Sequence, residues 1–419
     1  MGLVSAIVTE PTTTDARLLT HEERTRARNV GIAYLLLGVV ALLIFTRRSG
    51  DAQFKLGGGD SIGLPASPLA WACGITFIAL GAAQLVKGLG KLTNVLLGVA
   101  VTLFVISFLA WAAAGDGFSF SGLINTTIQY SVPITFGAAA GIICERSGVV
   151  NIAIEGMLLG GAFTGTIVGS ATTRWVGVVA AIVVGGLLAL LLATLAIRYK
   201  VDQVIVGFAI NFFALGVTSY LDAGVLSDHE NLNSVTPLGP VNIPLLSKIP
   251  VLGEAFKQNV YVYASYVLVI ALTFGLFRTR WGLRTRAIGE HPKAADTLGV
   301  DVLRMRYRNV TLAGAVAGFG GSWWPAGNVG RFNENITGGR GFIALAAVIF
   351  GRWHPVGAFC GALVFGFFDA LSGKLSDLHT GIPSEFLQTA PYVATIVVVA
   401  GFIGRSRSPA ASGQPYEHQ

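Results

Sequence analysis

The sequence predicts an all-α polytopic membrane protein with about 10–12 transmembrane helices, some of them short or discontinuous. Its composition is 53% hydrophobic and only 12% charged, with a mean hydropathy of +0.66, whereas a soluble globular protein carries about 25% charged residues. Apolar runs near the roughly 20 residues that cross a bilayer recur along most of the chain. These runs are continuous and do not alternate with period two, so a β-barrel is not expected.

The apolar runs lie near residues 30–45, 68–86, 95–114, 123–143, 152–171, 176–197, 203–221, 259–277, 310–324, 341–350, 356–372 and 387–404. The run at 341–350 is short, which predicts a half-helix or a re-entrant segment. We expect residues 1–29 to form a polar cytosolic tail without the basic-then-apolar order of a cleaved signal peptide. Residues 30–115 form a three-helix N-terminal extension, residues 120–405 a membrane core, and residues 406–419 a cytosolic C-terminal tail.

The basic residues are distributed unevenly along this topology. With the N-terminus inside and twelve crossings, 20 of the 29 Lys and Arg residues fall on the cytoplasmic side, as the positive-inside rule expects. Both termini are then cytoplasmic. The same distribution accounts for the net charge of +7 without a nucleic-acid partner.

Glycine is abundant, at 54 residues. Many glycines follow small-xxx-small spacing, as in the pairs Gly156/Gly160, Gly161/Gly165 and Gly165/Gly169. Because such residues let helix backbones approach closely in lipid, the bundle is expected to be tightly packed.

The motifs of enzymes, metal sites and nucleotide sites are missing from the sequence. Cys73, Cys144 and Cys360 lie in apolar runs and form no CxxC, so we interpret them as buried free thiols. The chain contains no HExxH and no GxxxxGK[ST], so no metal site and no ATP site are expected on it. A membrane enzyme is disfavoured because no nucleophile–base pair is evident.

The loop at residues 278–309 contains a short helix that must dock on something. Pro292 suits the first helical position and Gly299 the residue past the helix end, and Asp301 suits the cap of the next helix. We place Ala294, Ala295 and Leu298 on one face. A two-turn helix is not stable alone in water, so it packs either on its own bundle or on a partner protein.

Four stretches resemble one family. They are "ERSGVVNIAIEGMLLGGAF" (145–163), "VIVGFAINFFALGVTSYL" (204–221), "AIGEHPKAADTLGVD" (287–301) and "GGRGFIALAAVIFGRWHPVGAFCGALVFG" (338–366). The chain resembles the permease subunits of ABC importers of the branched-chain amino acid and simple-sugar superfamily, above all the nucleoside permeases that work with Bmp-type binding lipoproteins. The resemblance covers about residues 120–405 and leaves the first 115 residues unexplained.

The resemblance implies the permease fold and an ATP-driven importer in a bacterial plasma (inner) membrane. Its other parts would be ATPase subunits that bind the ATP and Mg, a second, related permease, and an extracytoplasmic substrate-binding lipoprotein. Nucleosides lead as substrate, followed by simple sugars such as ribose and then branched-chain amino acids. The loop at 278–309 would couple to the ATPase through Glu290, His291, Pro292, Ala294, Ala295, Leu298 and Gly299.

Polar and aromatic residues at membrane depth are the candidates for the substrate pathway. They are Asn151, Glu155, Phe208, Asn211, Trp323, Trp324, Asn328 and Asn333, with Phe332 and Asn335 nearby. Amides can read base edges and sugar hydroxyls, and aromatic rings can stack on a base.

Each candidate also has a structural alternative. Asn151 could cap the helix that follows it, with Glu155 at the positive helix end. Asn211 could bond a neighbouring helix, and the Trp pair could anchor at the membrane interface. Glu145 and Arg146 are interpreted as structural. As an alternative function, the chain could be an ion-coupled secondary transporter of a small polar metabolite with Glu155 as the ion carrier.

Overall fold

The computed structural model describes residues 21–57, 60–86, 88–249, 252–378 and 407–417, together with single positions at 383, 386, 389, 392 and 393. These residues form two compact units, one ending at Phe118 and one beginning at Ser119, except that residues 56–60 group with the second unit. The predicted apolar run at 387–404 and the first twenty residues of the predicted N-terminal tail lie outside the described residues.

The first unit contains three helices and a small sheet. The helices are α1 (His21–Leu43), α2 (Ala66–Val86) and α3 (Thr93–Ala112), and the strands are β1 (Asp51–Gly57), β2 (Asp60–Pro65) and β3 (Gly117–Ser119), in the order β2-β1-β3. Tyr34, Cys73, Phe77 and Ala100 form its buried core. Many large apolar side chains on these helices are exposed, as expected of helices that face lipid.

The second unit is built from ten helices and a two-stranded ribbon, all within the described ranges. The helices are α4 (Phe120–Glu145), α5 (Ile154–Ala171), α6 (Arg174–Ala193), α7 (Gln203–Leu221), α8 (Val260–Arg278), α9 (Arg280–Glu290), α10 (Pro292–Thr297), α11 (Val302–Gly321), α12 (Arg340–Phe350) and α13 (Pro355–Asp377). Strands β4 (Val241–Asn242) and β5 (Lys257–Gln258) pair antiparallel between α7 and α8.

Glycines bring α5, α6 and α11 into backbone contact. A Cβ added at Gly161 would lie 2.5 Å from the carbonyl oxygen of Gly318, and added atoms at Gly185 and Gly318 would clash with the backbone of the facing helix. Only glycine permits such an approach, which is the close packing that the glycine spacing predicted.

Eight described helices are long and apolar enough to cross a membrane. Three lie in the first unit, and the other five contain α4, α6, α7, α8 and α13. The structure thus agrees with a polytopic all-α membrane protein. The total of 10–12 spans stays a prediction, because the last predicted run is not described.

Helix α12 is too short to span a membrane. Its 11 residues extend about 16 Å at 1.5 Å per residue, against roughly 30 Å of hydrocarbon. It follows a non-helical segment that contains Gly338 and Gly339 at φ of 53° and 79°. This confirms the short helix that the run at 341–350 predicted.

Candidate functional site

The charged stretch Glu145–Gly156 begins with a turn that is clipped to the segment between α12 and α13. The Glu145 carboxylate accepts a hydrogen bond from the indole Nε1–H of Trp353, and Arg146 Nε donates to the Trp353 carbonyl at 3.1 Å. Arg352 and Trp353 both have positive φ, 53° and 55°. Residues other than glycine adopt this backbone conformation only at a cost in free energy. The clip therefore stabilises a bend between α12 and α13, as expected if Glu145 and Arg146 are structural.

The other side of the same turn meets α9 and α11. Gly289 lies so close to the Arg146 carbonyl that an added Cβ would clash with it. Gly148 has a φ of 86°, and an added Cβ there would lie 2.6 Å from Arg306 Nη2. The turn is thus in direct contact with the loop at 278–309 and with the helix that follows it.

Helix α7 holds the extended segment that follows the turn. Asn211 Nδ2 donates to the Ile152 carbonyl at 2.9 Å, and its Oδ1 accepts from the Gly156 amide at 2.8 Å. Gln203 Oε1 accepts from the Val150 amide at 2.7 Å. Asn211 thus uses both polar ends of its amide within the bundle.

Asn151 is fully buried in this segment. Its amide nitrogen contacts the sulfur atoms of Cys144 and Met157 at 3.5 and 3.7 Å, and its Oδ1 has no partner among the described residues. Helix α5 begins later than the sequence suggested, with Ala153 as its N-cap and no capping side chain. The alternative that Asn151 caps this helix is therefore wrong.

Glu155 lies in the first turn of α5, but its carboxylate faces the N-terminus of α12. Oε1 accepts from the Thr337 hydroxyl at 2.5 Å and from the Gly339 amide at 2.8 Å, while Oε2 accepts from the Gly341 amide at 2.5 Å. These donors include amides that a helix start leaves unpaired, and a carboxylate there also meets the positive end of the helix dipole. Glu155 therefore anchors α12 to α5.

Beside this anchor lies a polar cavity of about 380 Å³. Arg340, the first residue of α12, donates from Nε and Nη2 to Asp369 Oδ2 of α13 at 3.0 and 2.7 Å. The guanidinium lies over the rings of Tyr130 and Trp324, 5.6 and 6.0 Å from their centroids. The cavity is lined by Tyr130, Gly338, Arg340, Ile343, Asp369, Ser372, Gly373, Ser376 and Tyr392. We call it the Arg340–Asp369 cavity.

This cavity extends from the middle of α4 to the C-terminal end of α13. Tyr130 is the eleventh residue of the 26-residue α4, so it lies about 15 Å from one end of the helix and about 22 Å from the other, whereas Ser376 is the last residue but one of α13. Charged residues inside apolar helices need protein partners or water, and such residues commonly mark transport pathways.

The structure places the other predicted site residues apart from this cavity or behind its wall. Trp323 and Trp324 are buried, 1% and 3% exposed, with the Trp323 ring edge-on to Tyr130 at 6.4 Å. Phe208 is 42% exposed on α7 and stacks on Phe342 at 6.2 Å.

Two further predicted residues follow α11. Asn328 ends the helical turn Trp324–Asn328 and is half-buried. Asn333 is exposed and lines a different, open cavity of about 660 Å³, whose wall also includes Asp222, Glu230, Arg331 and Glu334. The eight predicted pathway residues are thus not brought together in one site.

Tyr130, Arg340 and Asp369 were not among the site residues predicted from the sequence. The signal was available, because Asp369 lies inside the predicted run 356–372 and Arg340 directly precedes the run 341–350. Two opposite charges at the edges of apolar runs suggest a pair at membrane depth, but the topology assigned Arg340 to a loop outside the membrane.

The short helix in the loop at 278–309 is formed as predicted. Helix α10 starts at Pro292, Gly299 has a φ of 81°, and Asp301 caps α11 by accepting from the Arg304 amide. The shared face was wrong, since Ala295 is buried whereas Ala294 and Leu298 are exposed. Adjacent helical residues are separated by about 100°, so Ala294 and Ala295 point in different directions.

The C-terminal segment, residues 407–417, packs on this loop. The Ala411 amide donates to the Gly289 carbonyl at 2.8 Å, and the Tyr416 hydroxyl donates to Asp296 Oδ2 at 2.7 Å. Arg306 Nη1 donates to the Gln414 carbonyl at 3.0 Å. Tyr416 completes a small buried cluster with Ile288, Ala295 and Val302.

The three cysteines differ in their exposure. Cys73 and Cys144 are buried free thiols as predicted, whereas Cys360 is exposed on α13. The side chain of Cys360 points away from the neighbouring helices, which an apolar run alone does not reveal. Among the residues that the structure describes, no group of three or more His, Cys, Asp or Glu side chains could hold a metal ion.

Comparison with known proteins agrees with this architecture. The family model described as branched-chain amino acid transport system / permease component matches residues 122–404. The chain is 41% identical to the guanosine ABC transporter permease protein NupQ of Bacillus subtilis, over 70% of this chain and 96% of the relative. It is 36% identical to the nucleoside ABC transporter permease protein NupC of Lactococcus lactis, over 70% and 96%.

A third relative carries a different substrate name. The putative glucose ABC transporter permease protein TsgC13 of Haloferax volcanii is 31% identical, over 71% of this chain and 98% of the relative. The same three organisms each hold a second, more distant matching permease, at 21 to 25% identity. No solved structure matches the chain significantly. The chain therefore belongs to the branched-chain amino acid transport system / permease component family and is a multi-pass permease subunit of an ABC transporter.

Proposed function

We propose that the chain is one of two permease subunits of an importer that takes up nucleosides. The support for the substrate class is the printed function of the two relatives at 41% and 36% identity, each matched over 96% of its length. The glucose permease at 31% identity makes a simple sugar the second candidate.

The proposed mechanism rests on one structural observation, which is a continuous set of contacts along Glu145–Gly156. One end of this stretch touches Gly289 and Arg306 in the loop at 278–309, and the other end holds the N-terminus of α12 through Glu155. A push on that loop would therefore reach α12, whose first residue is half of the Arg340–Asp369 pair. Rigid elements in two arrangements can open and close a pathway in this way.

In this proposal α9 and α10 dock on a separate ATPase subunit at the cytoplasmic face. Leu298 is 84% exposed and Ala294 is exposed beside it, which leaves an apolar spot on α10 for a partner to cover. Both termini are cytoplasmic, and an extracytoplasmic lipoprotein delivers the substrate at the opposite face. The ATP and Mg belong to the ATPase.

The second permease is a different, related chain. The support is that B. subtilis, L. lactis and H. volcanii each contain two permeases that match this sequence at two distinct levels of identity. We therefore expect the substrate pathway to lie between this chain and a second, non-identical permease.

A secondary transporter with Glu155 as ion carrier is less well supported. The two carboxylate oxygens of Glu155 together accept three hydrogen bonds, each from a different donor. An ion carrier must release such bonds in every cycle, whereas an anchor keeps them.

Reconstitution tests the proposal. The chain is assembled with its cognate ATPase, second permease and binding lipoprotein in proteoliposomes, and uptake of labelled guanosine is measured. We expect uptake that requires ATP and is insensitive to an uncoupler. Uptake that continues without the ATPase and stops with an uncoupler would overturn it.

A matched pair of variants tests the docking surface. Leu298→Arg should reduce co-purification of the ATPase at least tenfold. Leu245→Arg, at a site 80% exposed in the loop between α7 and α8, should leave it unchanged. Equal co-purification of the ATPase with both variants would remove α10 from the docking surface.

A further inference from the structure

The Arg340–Asp369 cavity has the size and chemistry of a small-molecule site. Its volume of about 380 Å³ lies in the range of ligand pockets, roughly 300–1,000 Å³. One charged pair, two serine hydroxyls and two tyrosine side chains line it. A lipid tail would not select such polar walls, whereas a small molecule with several hydroxyl groups would.

The carboxylate of Asp369 is only half used. Both bonds from Arg340 end on Oδ2, at 3.0 and 2.7 Å. Among the described residues, no hydrogen bond reaches Asp369 Oδ1. The side chain is 21% exposed and lines the cavity. A carboxylate oxygen accepts two hydrogen bonds, so Asp369 Oδ1 is an acceptor that no described residue uses, on a side chain that lines the cavity.

Arg340 fixes the direction of that acceptor. Besides Asp369, it donates from Nη1 to the Thr337 carbonyl at 3.3 Å, and its guanidinium packs over Tyr130 at 5.6 Å. A planar guanidinium held at this many points leaves its carboxylate partner little freedom. The acceptor is therefore set in place before a ligand arrives.

Tyr130 supplies an aromatic surface on the same wall. Its ring is half-buried, with Trp323 edge-on behind it at 6.4 Å. The Arg340 guanidinium lies over the ring, 5.6 Å from its centroid, so Tyr130 closes the wall beside the acceptor and is not an open stacking platform.

We propose that this cavity is a substrate site in the pathway, where Asp369 accepts hydrogen bonds from the sugar hydroxyls of a nucleoside. Ser372 and Ser376 add hydroxyl groups to the sugar side. The inference rests on the proposed function and adds that the site reads the sugar, which all ribonucleosides share, and not the edge of one base.

Thiol labelling of the assembled importer tests the site. Ser376→Cys is introduced after Cys73, Cys144 and Cys360 have been replaced by alanine. Its rate of modification is measured with and without the competing nucleoside at about 1 mM, which nearly fills a site with a micromolar Kd. Ser227→Cys, which lines the open cavity at Asn333, is the control. It should be modified at the same rate with and without ligand.

The choice of ligand separates sugar from base. We expect guanosine and uridine each to slow the modification of Ser376→Cys at least fivefold, and 2′,3′-dideoxyguanosine to leave it within twofold of the unprotected rate. Protection by guanosine and dideoxyguanosine but not by uridine would overturn the inference in favour of base-edge recognition. A lack of protection by any nucleoside in an importer that transports guanosine would overturn the site and leave the proposed function standing.

Asp369 variants provide a second measurement. Asp369→Asn keeps an oxygen for Arg340 but weakens the acceptor, so kcat/KM for guanosine uptake should fall about 10–100-fold, as expected for the loss of a hydrogen bond to a charged group. Asp369→Glu should recover part of that loss. Asp222→Asn, in the other cavity, should change uptake less than twofold. Unchanged uptake in Asp369→Asn would contradict the inference, and if that variant does not assemble, the labelling result decides.

Discussion

Replacing Glu155 tests whether its carboxylate anchors α12. In Glu155→Ala the amides of Gly339 and Gly341 and the Thr337 hydroxyl lose their acceptor in a buried setting. Each buried donor without a partner costs about 1–3 kcal/mol. Since the Thr337 hydroxyl can rotate to another acceptor, the two amides set the magnitude, and the variant should lose about 4 kcal/mol of unfolding free energy.

Glu155→Gln should destabilise the chain less than Glu155→Ala does. The amide oxygen can still serve one side of the cluster, while the amide NH₂ faces a donor on the other side. One hydrogen bond to a charged group is lost, about 1.5–3 kcal/mol, together with the interaction of the charge with the helix N-terminus, about 0.5 kcal/mol. The expected loss for Gln is therefore about 2–3 kcal/mol, smaller than for Ala.

The assay is thermal unfolding of the detergent-solubilised chain, followed by the reactivity of the buried Cys144 thiol after Cys73 and Cys360 have been replaced by alanine. Glu230→Gln, at an exposed position, is the control and should unfold as the unmodified chain does. The midpoint temperature of unfolding should be highest for the wild type, lower for Glu155→Gln and lowest for Glu155→Ala. Midpoints of Glu155→Ala and wild type that coincide would refute the anchor. Full stability of Glu155→Gln combined with abolished uptake would instead support an ion carrier.

Three further predictions follow from neighbouring contacts. Gly341→Ala should lower the free energy of unfolding by about 1–3 kcal/mol through overpacking, because its Cβ would lie 2.5 Å from the Glu155 backbone. The control is Gly373→Ala, whose Cβ would meet nothing within 4 Å and which should be neutral in the same unfolding assay. Burial, and to a lesser degree the charge of Arg146, lowers the pKa of His354 below its usual range. The folded chain therefore binds a proton at His354 less readily than the unfolded chain does. The stability that His354 contributes is present above its unfolded pKa near 6.5 and is lost as the pH falls through the folded pKa. His354→Asn, which keeps a capping side chain, should flatten the unfolding midpoint between pH 7 and 5, and an unchanged pH profile would contradict the assignment. Deleting residues 408–417 should raise hydrogen exchange in α9 and α10, since amide and hydroxyl bonds to both helices are lost, and unchanged exchange would show that the segment does not hold them.

Local signals were sufficient for the short helix in the loop at 278–309. Pro292, Gly299 and Asp301 each act through their own backbone conformation or through a neighbour within a few residues, and such preferences are readable from sequence. The fold class was likewise readable, because apolar length and composition determine it.

The role of Glu155 was not readable from the sequence. Its partners Thr337, Gly339 and Gly341 are 182 to 186 residues away in the chain. A glutamate in the first turn of α5 satisfies the helix-end rule for α5, so the sequence offered a local explanation. In the folded chain the carboxylate serves a different helix N-terminus, which only tertiary packing brings to it.

Asn211 and Asp369 illustrate the same limit. A polar residue in an apolar run must find a partner, and the sequence indicates that need without naming the partner. Asn211 meets the backbone of the segment before α5, and Asp369 meets Arg340. Neither pairing follows from spacing along a single helix.

In the proposed mechanism the stretch Glu145–Gly156 connects the loop at 278–309 to α12 and the Arg340–Asp369 cavity. The most direct measurement is the modification rate of Ser376→Cys in the assembled importer with and without ATP, in the presence and absence of Glu155→Gln. We expect ATP to change this rate, and Glu155→Gln to reduce the size of the change while ATP hydrolysis continues. An ATP-dependent change that survives Glu155→Gln at full size would contradict the proposed mechanism.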